Sequence, residues 1–549
     1  MAETSWGPPW AARMDGAVVL NGAELTIADV ESVARGLRPA LLADDARRRV
    51  AEARAVIEHL VASGEVVYGV TTGFGSLATT FVPPERAREL QERLLLSHAA
   101  GVGELLPTEV VRAMLLLRAN TLALGHSGCR PELIDRLLEL LRLGIHPLVP
   151  SQGSVGASGD LAPLAHLALP IIGHGQVELE GRVMPARDAL AAAGLEPLVL
   201  QPKEGLALLN GTQMMSAMGA LLLADAERLA RTASVAAAIS VEALRGTEVA
   251  FSAAYQSTRP HPGQVRTAAE LRWLLRDSSL QRAHHGDAHR VQDPYSLRCV
   301  PQVHGAARDA LGNLHRVLDI ELNSATDNPL VFPQGGQAPA DALATGHGLV
   351  ISGGNFHGEP VALALDYAKL AIAEIGAISE RRVALLLDPR LNDGLPAFLG
   401  ASSGLDSGLM ILQYTAAALA SESKVLAHPA SADSIPTSAN QEDHVSMGSI
   451  AARHAWRVLE HSQRILAIEL ICAAQGLDLR LGMQPDTSPG AGVAEAHARI
   501  RAVIAHLGHD REPGADIEAA MRLVRDGALV DLAEPPPSAS TSWLGPDPR

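Results

Sequence analysis

The stretch from Glu359 to Leu387 sets the first limit on how this chain can fold. It is the longest helical pattern in the sequence and is apolar on nearly every side. Only Asp366, Lys369, Glu374 and the Glu380-Arg381-Arg382 cluster interrupt it. A helix with no polar face is stable in water only when other elements, or other subunits, surround it. More helical patterns run over 108–124, 131–143, 301–322, 407–428 and 448–475. Gly125, Gly144 and Gly476 stand where the first, second and last of these should stop. Residues 205–245 read as two helices meeting near Thr232, and shorter helices are predicted at 27–35, 44–62, 85–99 and 186–193. Hydrophobic residues make up 47% of the chain but aromatic residues only 3%, so the core must be aliphatic. Such a core suits close-packed helices better than a β-sandwich. The predicted class is all-α, a long-helix bundle with a small mixed N-terminal portion.

In the mixed portion, Ala17–Leu25 predicts a short hairpin around Asn21-Gly22. Glu65–Val70 predicts a strand, and Glu180-Gly181 centres a second hairpin. Residues 1–15 read as a disordered leader and the proline-rich segment 531–549 as a disordered tail. The Gly/Pro/Ala-rich stretch 334–348 reads as a surface insertion. Residues 16–530 form one body, with an N-terminal part over about 16–200, a bundle over about 201–480 and C-terminal helices over about 481–530.

Several function classes drop out early. A formal charge of −16 argues against nucleic acid or an anionic membrane as partner. No uninterrupted apolar run reaches membrane-spanning length, and Met1–Trp10 lacks the basic start and apolar core of a signal peptide. Cys129, Cys299 and Cys472 are too far apart for a disulfide framework or a metal motif, which points to a reducing cytoplasm. Gly73-Phe74-Gly75-Ser76-Leu77-Ala78 fits a dinucleotide fingerprint. Pro83-Pro84 follows where the pyrophosphate-binding helix would have to begin, so nucleotide binding is rejected. The His284-His285…His289 cluster reads as a solvated loop and not a metal site.

The chemistry centres on Gly153-Ser154-Val155-Gly156-Ala157-Ser158-Gly159-Asp160-Leu161-Ala162-Pro163-Leu164. Small residues permit backbone shapes that a Cβ would block. If the Gly159 amide nitrogen reaches the Ala157 carbonyl carbon, the backbone closes into a five-membered ring. Loss of water from that ring and from the Ser158 hydroxyl then leaves an exocyclic methylene, an electrophile that no standard side chain supplies. The triplet alone is not specific, because Ala62-Ser63-Gly64 repeats it in what reads as a helix end.

The context is specific. Gly153 to His166 resembles, without a break, the prosthetic-group segment of the histidine and aromatic amino acid ammonia-lyases. The resemblance covers roughly residues 50–480. It implies that Ala157, Ser158 and Gly159 form 4-methylideneimidazol-5-one with no metal or nucleotide. It also implies the all-α fold of the histidine and phenylalanine ammonia-lyases, and a homotetramer whose active sites are shared between subunits.

Site residues follow by the same resemblance. Tyr68, in Tyr68-Gly69-Val70-Thr71-Thr72-Gly73, matches the family's loop tyrosine, the implied base for the β-proton. A phenol ordinarily titrates near 10, so one working near neutrality needs cationic or donor neighbours. Asn210, in Leu208-Leu209-Asn210-Gly211-Thr212-Gln213, is implied to face the prosthetic group and the substrate carboxylate. Gln292-Asp293-Pro294-Tyr295-Ser296-Leu297-Arg298 supplies Gln292, Tyr295 and Arg298. The planar fork of an arginine suits a carboxylate. Phe356, in Gly353-Gly354-Asn355-Phe356-His357, is implied to pack on the prosthetic group, and Asn440-Gln441-Glu442-Asp443-His444 to close the pocket.

Two positions speak to the substrate. His98 stands where phenylalanine-specific members carry an apolar pair, although tyrosine-specific members also use histidine there. At the position of Glu442, phenylalanine and tyrosine lyases and the related aminomutases generally have glutamine. A carboxylate and an imidazole together suit a ring that both donates and accepts hydrogen bonds. The expected reaction is elimination of ammonia from L-histidine to give trans-urocanate, the entry to histidine degradation. The competing expectations are a tyrosine ammonia-lyase or aromatic 2,3-aminomutase and, further off, a non-enzymatic scaffold.

Overall fold

The computed structural model describes residues 16–73, 81–156, 158–284, 291–333, 343–345, 348–402 and 404–535. The chain divides into two compact units. One comprises Met1–Ala224, Leu314–Asp366 and Pro429–Arg453; the other comprises Asp225–Asn313, Tyr367–His428 and His454–Arg549. Both are mainly helical, as the composition requires.

In the first unit the Thr108–Ala123 helix is the internal post: from Val110 onward every residue but Arg112 is buried. It packs against Ile27–Ala34 on one flank and Pro131–Leu143 on another. The Ile27–Ala34 helix starts at a capping box, in which the Thr26 hydroxyl accepts from Asp29 N and Asp29 reaches back to Thr26 N. The Pro131–Leu143 helix starts on proline and ends at Gly144 in the left-handed conformation, as its sequence signals predicted. Truncating a fully buried leucine here, such as Leu116, would cost about 2–5 kcal/mol.

The mixed portion departs from expectation twice. Val18–Leu20 is a strand, but it pairs in parallel with Ala40–Leu42 and does not turn back on itself. Asn21 explains the difference: its side-chain oxygen accepts from Ala23 N and Glu24 N, while Gly22 N donates to Asn120 Oδ1, so the turn leads inward. Glu65–Val70 is not a strand: 65–67 are irregular and 68–70 form a turn. Thr71 Oγ1 accepts from Val67 N and donates to Glu65 O, which uses up backbone groups that a strand partner would need. The hairpin Gln176–Leu179 with Arg182–Pro185 forms as predicted. Gly348–Ile351 pairs with both Leu330–Phe332 and Leu343–Thr345. The remaining residues of the predicted insertion up to 347 lie outside the described residues, as do the leader, 74–80 of the rejected fingerprint, 285–290, and 536–549 of the tail.

The long helices follow their patterns with two corrections. The 205–245 pattern breaks at Asn210–Thr212, not at Thr232, giving Glu204–Leu209 and a continuous Gln213–Ala243. Thr232 stays helical, and its hydroxyl bonds back to Arg228 O within the helix. The last long helix runs through Gly476 to Met483. A Cβ on Gly476 would lie 3.2 Å from Leu386 and 3.3 Å from Ala243, so this glycine serves close packing and does not stop the helix.

The polar interruptions of Glu359–Leu387 find partners. Asp366 accepts from the Ser431 amide and hydroxyl at 2.8 and 2.7 Å in the first unit. In the second unit Lys369 Nζ donates to His428 O at 3.0 Å, and Arg382 forms a two-pronged pair with Glu469 at 2.5 and 2.8 Å. Ser240 and Ser379 complete the Glu469 carboxylate, so this fully buried ion pair has no unmet acceptor. Leu363, Tyr367 and Leu370, one stripe of the same helix, remain 56, 51 and 43% exposed in the single chain.

Candidate active site

The organising loop is built by close backbone approach. Ser158 and Gly159 both have positive φ, 52° and 76°, and Gly156 has 74°. A serine in this region costs about 1–3 kcal/mol unless its surroundings hold it there. The surroundings are Gly211, whose amide donates to Ser158 O at 3.3 Å and whose carbonyl accepts from Asp160 N at 2.7 Å. A Cβ on Gly159 would sit 2.0 Å from Gly211 O, so only glycine fits. Further along the chain, Ser446 Oγ donates to Gly156 O, Met447 N to Val155 O and Ser449 Oγ to Ser154 O, pinning the other side of the loop. Ala157 lies outside the described residues.

Asp160 anchors the loop to the start of the Gln213–Ala243 helix. Its Oδ2 accepts from Met214 N at 2.9 Å and Met215 N at 3.1 Å, two amides that the first helical turn leaves unpaired. Its Oδ1 is buried and has no partner among the described residues. Burial pushes this carboxyl up to about 7 despite the two amides.

Asn210 ends the Glu204–Leu209 helix and is buried. Its carbonyl accepts from Arg118 Nη1 at 2.9 Å, and the same nitrogen donates to Gln213 Oε1 at 2.7 Å. Its Nδ2 donates to Asn328 O at 3.1 Å, while its Oδ1 is a buried acceptor with no partner among the described residues. Behind it lies a fully buried pair, Lys203 Nζ to Asp327 Oδ2 at 2.8 Å. Asp327 Oδ1 takes Asn328 N at 2.7 Å, and Asn328 Oδ1 takes Gly353 N at 2.6 Å. That last bond ties down the loop carrying Phe356, which is half-buried. His357 then joins this loop to the Glu442 segment. Its Nδ1 accepts from Glu359 N, so Nε2 carries the proton and donates to His444 O at 3.2 Å.

Glu442 is half-buried and meets the organising loop directly: Ser158 Oγ donates to its Oε1 at 3.2 Å. His98 belongs to the same neighbourhood. Burial lowers its pKa, and the Leu94 carbonyl and the Glu442 charge oppose that shift. The structure therefore brings together Ser158, Gly159, Asn210, Glu442 and His98. Tyr68 stands half-buried on a turn of the same unit, beside Gly69 at φ 69°. Gln292, Tyr295 and Arg298 form a cluster of their own in the second unit. There Arg298 donates to Gln292 Oε1 at 2.8 Å and to Asp293 O at 2.9 Å, with its guanidinium 4.6 Å from the Tyr295 ring. Tyr295 is 71% exposed and lines a cleft of about 780 Å³ with Arg381, Arg390, Leu391 and Phe398.

Sequence reading assigned no role to Arg118, Lys203, Asp327, Asn328, His357 or Thr437. The local string Thr326-Asp327-Asn328-Pro329 carries no motif, and its importance lies in contacts more than 100 residues away. Asp160 was visible as the residue after the triplet, but not as a helix anchor. Among the described residues no group of three or more His, Cys, Asp or Glu side chains is placed to hold a metal, and no helix is long and apolar enough to cross a membrane.

Comparison with known proteins agrees with this geometry. The family model for aromatic amino acid lyase matches residues 25–502. A histidine ammonia-lyase of Sorangium cellulosum is 53% identical over 519 residues, covering 94% of this chain and 99% of that protein. The crystal structure of histidine ammonia-lyase from Trypanosoma cruzi superposes with a TM-score of 0.85 at 43% identity, covering 96% of this chain and 97% of that one. That of tyrosine aminomutase from Streptomyces globisporus gives 0.87 at 37% identity, covering 94% and 98%. From its sequence, its fold and the loop at its centre, this chain belongs to the aromatic amino acid lyase family.

Proposed function

We propose that this protein is a histidine ammonia-lyase, eliminating ammonia from L-histidine to give trans-urocanate. The carrying observation is the Glu442 carboxylate aimed at Ser158, in the neighbourhood of His98. An imidazole-bearing ligand supplies the N–H that this carboxylate accepts. A purely apolar ring would leave Glu442 Oε1 without a donor once the Ser158 hydroxyl is gone, at a cost of about 1–3 kcal/mol. The relatives that carry the histidine ammonia-lyase name over nearly the whole chain support the same substrate.

The residues around the triplet fit a 4-methylideneimidazol-5-one formed from Ala157, Ser158 and Gly159. Ser158 and Gly159 both hold the left-handed conformation, and the Gly211 backbone fills the space a Cβ would need. Among the described residues nothing donates to the buried Asn210 Oδ1, which suits an acceptor facing such a group. Once formed, the group supplies the electrophile that makes ammonia a competent leaving group. The chain's own residues do the rest. Tyr68 removes a β-proton, the Cα–N bond breaks as the Cα–Cβ double bond forms, and nitrogen departs as ammonia. Arg298 pairs with the substrate carboxylate, with Gln292, Tyr295 and Asn210 completing its surroundings. Phe356 packs on the prosthetic group, while Glu442 and His98 hold the imidazole.

We further propose a homotetramer with shared active sites. The exposed stripe Leu363, Tyr367 and Leu370 supports it, as does the separate Gln292–Tyr295–Arg298 cluster. A reducing, cytoplasmic location is consistent with three free cysteines.

The test is direct. Purified protein should raise the ultraviolet absorbance of urocanate from L-histidine and leave L-tyrosine unconverted. Its intact mass should be two waters below the encoded mass, and Ser158→Ala should restore those waters and abolish turnover with the fold intact. Turnover by a linear, fully hydrated triplet would overturn the proposal. Glu442→Gln should lower kcat/KM for histidine about tenfold or more, through loss of a charged hydrogen-bond acceptor.

A further inference from the structure

The two oxygens of Glu442 each take one hydroxyl. Ser158 Oγ donates to Oε1 at 3.2 Å, and Thr437 Oγ1 donates to Oε2 at 2.8 Å. Thr437 and Glu442 also face each other through their backbones: Thr437 N donates to Glu442 O at 2.9 Å, and Glu442 N to Thr437 O at 3.3 Å. Between them Ser438, Ala439 and Asn440 all take positive φ, 49°, 53° and 68°, so the chain closes tightly and sets the hydroxyl against the carboxylate.

These two donors have different fates. The Ser158 hydroxyl is the one that dehydration of the triplet removes, whereas the Thr437 hydroxyl persists. We infer that Thr437 is the positioning residue for Glu442, fixing Oε2 so that loss of the Ser158 hydroxyl leaves Oε1 as an open acceptor for the ring N–H of the substrate. The inference rests on the histidine-lyase reading of the site. In the unconverted chain Oε1 is occupied by Ser158, so conversion of the triplet also unmasks the specificity group. Discrimination for a ring N–H then depends on a hydroxyl that does not itself touch the substrate.

The experiment separates this inference from the reading beneath it. The full-length Ser158→Ala variant lacks both the hydroxyl and the electrophile, so ligand binding can be measured by calorimetry without turnover. Two probes are compared: L-histidine, and L-β-(2-thienyl)alanine, which keeps a five-membered ring but has no N–H. Adding Thr437→Val should weaken histidine roughly three- to tenfold, the range of one hydrogen bond, and leave the thienyl ligand within about twofold. Thr437→Ser, which keeps the hydroxyl, should restore histidine binding, and Thr437→Ala replaces the valine variant if the turn rejects valine. Equal weakening of both ligands, or an unchanged preference, overturns the role of Thr437. If Glu442→Gln in the same background leaves histidine binding untouched, the site reading itself fails.

Discussion

At the scale of single residues, Asp160 shows how burial and hydrogen bonding compete. Its folded-state pKa, about 7, lies above the ordinary value of 3.8. The folded chain therefore holds a proton that the unfolded chain releases. The stability this contributes is fully present below about pH 4 and is lost as pH rises to about 7, at about 1.4 kcal/mol per pH unit across that window. Asp160→Asn keeps an acceptor for Met214 N and Met215 N without titrating. Its denaturant-unfolding free energy should vary less than that of the parent between pH 4.5 and 7.5. Asp160→Ala should be less stable than the parent by about 1–3 kcal/mol, because two buried amides lose their acceptor. The triplet, its aspartate and Glu442 were legible in sequence because their types and spacing are distinctive. Lys203, Asp327 and Asn328 were not, since nothing local marks residues that act by meeting across 124 and 118 positions.

At the scale of elements, the site depends on two loops fitted backbone to backbone. Gly159→Ala should cost about 1–3 kcal/mol or more by thermal or denaturant unfolding, because the new Cβ has no flexible neighbour to push aside, only Gly211 O. Lys203→Met should cost about 3–5 kcal/mol by leaving Asp327 charged and buried, and adding Asp327→Leu should recover much of that loss. Helices were read well wherever caps and apolar pattern agreed, as in Pro131–Leu143 and Glu359–Leu387. The misses have more than one source. Asn21 and Thr71 divert backbone bonds from the predicted hairpin and strand, and Gly476 looks like a stop but is a contact point.

At the scale of the whole molecule, an aliphatic core leaves one apolar stripe of the Glu359–Leu387 helix exposed in the single chain, although that helix, the longest by sequence pattern, is outrun in the structure by Gln213–Ala243 and Gly448–Met483. Leu363→Glu combined with Leu370→Lys should lower the sedimentation mass of the protein and abolish turnover while each chain stays folded by circular dichroism. A full-sized, active assembly would remove this stripe from the interface. The sequence pattern of this helix called for cover, by its own chain or by other subunits, and does not say whose residues provide it. The organising loop carries a last consequence, which concerns order of synthesis. Its outer side is gripped by Ser446, Met447 and Ser449, and the bond from Ser446 to Gly156 spans 290 positions. A nascent chain therefore displays the triplet long before its clamp has left the ribosome. On the proposed cyclisation, a chain terminated before Ser446 lacks this clamp and should keep a linear, fully hydrated triplet by intact mass.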